Sequence, residues 1–180
     1  KPSSNLKLSL FKLVDNLTGV IMAQFNQTNL SIDSLPQWLS SLKKPLELSG
    51  VGVATFNLPA GKGYTFMHTH KEQEEVYIVL SGKGIIQIED ETIDLAPGDF
   101  VRVSPLARRA IKADDESNMT GIVVGGVAKS GYPKYNGSKT LIDDGVPDWE
   151  NLPPWCVGNE TNAKINERLR SEREAIKSAG

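Results

Sequence analysis

The sequence predicts an all-β fold, an antiparallel barrel with a short N-terminal helix and a C-terminal arm and helix. Three observations carry this. Between residues 51 and 127, short runs rich in β-branched residues are cut by glycine and acidic turns, at the spacing of strands joined by tight local connections. A helical period is confined to two stretches outside that region. Across 180 residues, 39% hydrophobic and 23% charged side chains suit a single globular domain with its own core rather than a disordered chain or a bilayer span.

Taken in order, residues 6–32 alternate loosely between apolar and polar and suggest one or two outer strands. Next, Ser34 and Gln37 match a capping box, and Leu35, Trp38, Leu39 and Leu42 fall at i, i+3, i+4 and i+7. With Pro45 as the stop, this predicts an amphipathic helix over 34–44. Strands are expected at 51–58, 76–80, 84–88, 92–95 and 121–127. Pro97-Gly98 carries the chemistry of a type II turn, and Glu89-Asp90-Glu91 reads as a solvated hairpin tip. Beyond Ser130 the chain is rich in Gly, Pro, Asn and Asp, an arm packed over the barrel. From Asn159 or Thr161 to about Ser178, Ile165, Leu169 and Ile176 line one side of a charged helix. The organisation is one domain, with an extension at 1–50, a barrel core at 51–127 and an arm with its helix at 128–180.

Charge and cysteine usage narrow the function. Lysine and arginine total 20 against 22 acidic residues, with no basic stripe of the kind that phosphate backbones demand, so a nucleic-acid partner is not expected. No segment reads as a membrane span, so no membrane partner is expected either. Cys156 is the only cysteine, which rules out an intramolecular disulfide or a cysteine zinc cluster and fits a reducing, cytoplasmic setting. With no third histidine to activate it, Cys156 is a poor nucleophile.

The chemistry concentrates in His68-Thr69-His70-Lys71-Glu72-Gln73-Glu74-Glu75. On a strand, positions i and i+2 share a face, so both imidazoles converge on one point. A following strand can return Glu75 to the same face. Two histidines and one carboxylate then form a donor set for a divalent metal (Fe, Mn, Zn or Ni) with positions left open.

His68-X-His70-X4-Glu75-X6-Gly82 resembles the first signature of the cupins, and Leu95-Ala96-Pro97-Gly98-Asp99-Phe100-Val101-Arg102-Val103 resembles the start of the second. The resemblance spans roughly residues 51–127. It implies a cupin-type antiparallel jelly-roll β-barrel and a metal-dependent enzyme, of the oxygenase or isomerase kind, with a small molecule bound at the barrel mouth. The second signature departs from the family, because arginine stands where a further ligand histidine is usual. Arg109 is the better positional match, and strand parity turns it inward with Ile111 while Arg108 and Lys112 face out.

A guanidinium cannot ligate a metal. Either Arg109 grips an anionic substrate beside a three-ligand metal, or it pairs with Glu75 and displaces the metal. Tyr77 and Gln87 join Arg109 as expected substrate-binding residues. The rival reading is a non-catalytic ligand-binding or sensing cupin built on the Arg109–Glu75 pair. Strands 76–80 and 84–88 carry apolar residues on both faces, and a homodimer is expected to cover the outer one.

Overall fold

A computed structural model of the protein describes residues 25–126 and 143–178. Its strands among the described residues are β1 (Trp38–Ser41), β2 (Val51–Leu58), β3 (Met67–His70), β4 (Glu75–Ser81), β5 (Gly84–Ile88), β6 (Glu91–Leu95), β7 (Phe100–Val103), β8 (Arg109–Ala113), β9 (Met119–Gly126) and β10 (Gly145–Asp148). They pair antiparallel into two five-stranded sheets, in the orders β1-β2-β9-β4-β7 and β10-β3-β8-β5-β6. Alternation within the strands turns Phe56, Tyr77 and Val79 of one sheet toward Ile86, Leu95 and Ile111 of the other, and these side chains share one core. This is the jelly roll that the sequence leads one to expect.

The turns follow their residues. Gly98 adopts φ +95° in the Ala96-Pro97-Gly98-Asp99 turn, closed by an Asp99 N–H to Ala96 carbonyl bond of 3.1 Å. Gly82, which ends the first signature, has φ +73°, and a Cβ there would meet the Asn118 carbonyl oxygen at 1.9 Å. The hairpin from β5 to β6 turns at Glu89 and Asp90.

The helix expected over 34–44 is not formed. Residues 38–41 instead extend along the open edge of β2 as β1, from Trp38 opposite Asn57 to Ser41 opposite Ala54. Two causes outweigh the periodic stripe. Trp38 has φ +71°, which no helix accommodates, and the eight-residue strand β2 offers backbone groups that would otherwise stay unpaired. Pro45 does not stop a helix but sits inside the short α1 (Lys43–Leu46), at a first-turn position where its missing N–H costs nothing.

Most of the expected 6–32 strands lie outside the described residues, and 25–31 contain no strand. The helix α2 (Glu160–Ser178) forms as expected, capped by Asn159, whose side-chain oxygen accepts from the Asn162 N–H at 3.1 Å. It rests on the barrel through Asn166, which donates to the Thr65 carbonyl at 2.7 Å. Part of the arm enters the sheet as β10, which pairs with β3 so that Gly145 stands opposite His70 and Pro147 opposite His68.

Candidate metal centre

β3 carries His68 and His70 on one face, and the turn at 71–74 feeds into β4, whose first residue is Glu75. β8 lies on the other side of β3, with Arg109 directly opposite His68. Pairing of β3 with β8, and the turn that carries the chain from β3 to β4 of the facing sheet, together bring His68, His70, Glu75 and Arg109 to one place. One ligand atom from each of His68, His70 and Glu75 lies within 4.8 Å of the others. His70 Nε2 stands 3.3 Å from Glu75 Oε1, and His68 Nε2 4.0 Å from Oε2. Two ligands that share an ion at about 2.1 Å stand roughly 3.0–3.4 Å apart, so the His70–Glu75 spacing fits a common metal.

Arg109 is 0% exposed. Its Nε and Nη2 donate to Glu75 Oε2 at 3.2 and 3.0 Å, and Nη1 donates to the Pro105 and Ala107 carbonyls at 2.9 and 2.8 Å. Arg109 is thus paired with Glu75. Tyr77, also buried, adds a hydroxyl bond of 2.9 Å to the same oxygen. Oε2 is thus surrounded by donors, while Oε1 faces His70. A carboxylate held in this way serves the arginine with one oxygen and keeps the other for an ion.

Gln87 is not brought to the cluster. Ile86 and Ile88 turn toward the core, and Gln87 lies on the opposite face of β5, where its amide donates to the Glu89 carbonyl and accepts from Thr92. The substrate-binding part expected of Gln87 therefore has no support from its position, because an inward Ile86 sends the next side chain out.

The residue that sequence reasoning missed is Asp144. Its Oδ1 lies 2.6 Å from His70 Nδ1, and its Oδ2 accepts from the Glu72 and Gln73 N–H groups at 2.7 and 3.0 Å. Nothing in a Gly/Asp-rich arm marks one aspartate above its neighbours; only the pairing of β10 with β3 brings it here. Tyr64 and Phe66 flank the His68 ring, with centroids 5.9 and 6.5 Å away.

Burial sets the protonation states. Loss of solvent drives the His68 pKa down to about 3 against the pull of Glu75, so this ring is neutral and able to ligate. Burial also opposes ionisation of Glu75, but the His70 hydrogen bond and the charges of His70, His68 and Arg109 outweigh it and hold the carboxyl at about 2. At His70 burial again opposes charge, yet bonding to Glu75, its charge and the Asp144 bond prevail, and the pKa is raised. Beside Glu75 lies a cavity of about 30 Å³ lined by Leu39, Ala54, Gln73, Val123, Gly125 and Asp143. The Gln73 side-chain oxygen is buried with no hydrogen-bond partner among the described residues.

The family model of the cupin domain matches residues 54–125. Among solved structures, a cupin protein from Bacteroides fragilis is 32% identical over 67% of this chain and 98% of its own, with a TM-score of 0.54. A protein from Photorhabdus luminescens, 20% identical over 58% of this chain and 88% of its own, shares the fold at a TM-score of 0.50. An uncharacterized protein of Methanocaldococcus jannaschii is 27% identical over 78 residues, 43% of this chain, which spans 58% of that protein's length. The signature residues of β3 and β4, the two-sheet barrel and the near-complete coverage of the Bacteroides protein agree: the chain belongs to the cupin superfamily.

Proposed function

We propose that the protein holds one divalent metal ion per chain through His68, His70 and Glu75 and acts on a small anionic molecule at the barrel mouth, as an enzyme of the oxygenase or isomerase type. The observation that carries this reading is the convergence of the three ligand atoms within 4.8 Å. A neutral His68 and an ionised Glu75 support it, since those are the ligating forms. Such an ion, with positions left open, supplies Lewis-acid polarisation of a substrate oxygen.

The chain's own residues do the rest. Arg109 and Tyr77 pin Glu75 Oε2 and so fix the direction of Oε1, which makes their part in substrate binding indirect. Gln73 lines the cavity, and its side-chain oxygen has no hydrogen-bond partner among the described residues, so a small rotation of the amide would let it accept from a bound molecule. Fixed charges support an anion: Arg109 adds one positive charge and Glu75 and Asp144 two negative ones, and Asp143 at the cavity is offset by Lys43 at 3.5 Å, so a doubly charged ion leaves the centre net positive.

The Arg109–Glu75 pair favours a second reading, a non-catalytic ligand-binding or sensing cupin in which the guanidinium alone compensates Glu75. Calorimetric titration of tag-free protein with Mn²⁺, Fe²⁺, Zn²⁺ and Ni²⁺ separates the two. One ion per chain is expected. Because His70 has a raised pKa, the ion must displace its proton, so the apparent affinity should fall about tenfold per pH unit below that transition, with about one proton released per ion. Affinity that does not change with pH removes His70 from the ligand set, and no binding at all favours the sensing module.

We also propose a homodimer in a cytoplasmic, reducing setting, the latter resting on Cys156, a free and buried thiol. Phe100 is 69% exposed on the edge strand β7, opposite Ile78, with Ile122 next to Ile78 on the same outer face. Phe100 is exposed and Ile78 and Ile122 are half-buried, so part of this apolar patch meets solvent. Light scattering at micromolar concentration is expected to give twice 19.6 kDa; the mass of a single chain defeats the dimer.

No helix among the described residues is long and apolar enough to cross a membrane.

A further inference from the structure

We propose that Asp144 is a positioning residue that fixes the tautomer of His70, holding the proton on Nδ1 so that Nε2 presents its lone pair to the centre. The inference deepens the metal reading above and rests on it for its consequence, though not for its geometry.

The carboxylate of Asp144 has both oxygens committed. Oδ2 receives two backbone N–H groups from the turn between the ligand strands, those of Glu72 and Gln73. That fixes the carboxylate plane and sets Oδ1 at 2.6 Å from His70 Nδ1. The side chain is 5% exposed, so water cannot readily take either place. An ionised carboxylate only accepts hydrogen bonds, so Nδ1 must be the donor. A neutral His70 then carries no proton on Nε2, the nitrogen 3.3 Å from Glu75 Oε1. The same side chain ties β3, the 71–74 turn and the start of β10 together, and through it the C-terminal segment sets the chemistry of a ligand on the barrel. Partners of this kind orient a ligating imidazole and raise its basicity.

Asp144→Asn tests the assignment, because it separates anchoring from tautomer choice. The two backbone N–H groups of the turn still need an acceptor, which the asparagine oxygen supplies, and this turns the amide NH₂ toward Nδ1. His70 must then accept on Nδ1 and carry its proton on Nε2, where it blocks ligation. The expected results are a switch from the Nδ1–H to the Nε2–H pattern in long-range ¹H–¹⁵N spectra of metal-free protein, recorded above the His70 transition, and Zn²⁺ affinity lower by about 10–100-fold. A wild-type spectrum that shows Nε2–H overturns the proposal without any variant, and so does an unchanged Nδ1–H pattern in a folded Asp144→Asn protein. If the tautomer switches while neither protein binds Zn²⁺, the positioning role stands and the metal reading fails.

Discussion

Replacing Arg109 by alanine is expected to destabilise the metal-free protein by about 3–5 kcal/mol, the cost of leaving one member of a buried ion pair alone. Arg109 is fully buried in β8, and its four hydrogen bonds end on Glu75 Oε2 and on the Pro105 and Ala107 carbonyls. Without it, Glu75 keeps only Tyr77 and the histidines as partners, the Ala107 carbonyl loses the guanidinium donor while the Pro105 carbonyl keeps only the His70 N–H, and the volume of a large side chain opens beside the core. The neighbouring Arg108 gives the control. It pairs with Glu89 at the surface, so Arg108→Ala should cost little. Urea denaturation of chelator-treated protein measures both variants. Restoring neutrality with Arg109→Met and Glu75→Gln together should recover part of the loss, because neither charge is then stranded. An Arg109→Ala protein no less stable than Arg108→Ala would remove the clamp from the account.

Much of the barrel was legible because it is local. Strands at 51–58 and 84–88 coincide with β2 and β5, since alternation and flanking turn residues specify them without help from distant chain. The metal ligands were legible for the same reason: His68, His70 and Glu75 come from two consecutive strands joined by a short turn. Arg109 could be placed inward by parity with Ile111, but whether it would face a substrate or Glu75 depended on side-chain reach, which parity does not give. What stayed hidden depends on long-range pairing. Residues 38–41 have a helix-like stripe and became a strand because β2 offered an edge. Asp144 reaches His70 across 74 positions of sequence, through the pairing of β10 with β3.

The second large effect concerns the ligands themselves. His70→Ala removes one of the two nitrogen donors, and Glu75→Gln replaces a charged oxygen donor by a neutral amide while preserving its shape. Either change leaves two ligands of the proposed three, too few to hold an ion against water, so the affinity should drop by more than the roughly 10–100-fold expected for an outer partner such as Asp144. Gln87→Ala, on the outer face of β5, should leave metal binding unchanged. The most direct measurement is elemental analysis of protein purified without a histidine tag and equilibrated with excess divalent metal, then freed of unbound ion. About one first-row divalent ion per wild-type chain is expected, and almost none in His70→Ala or Glu75→Gln. Wild-type protein that retains no more metal than His70→Ala would contradict the proposed metal site.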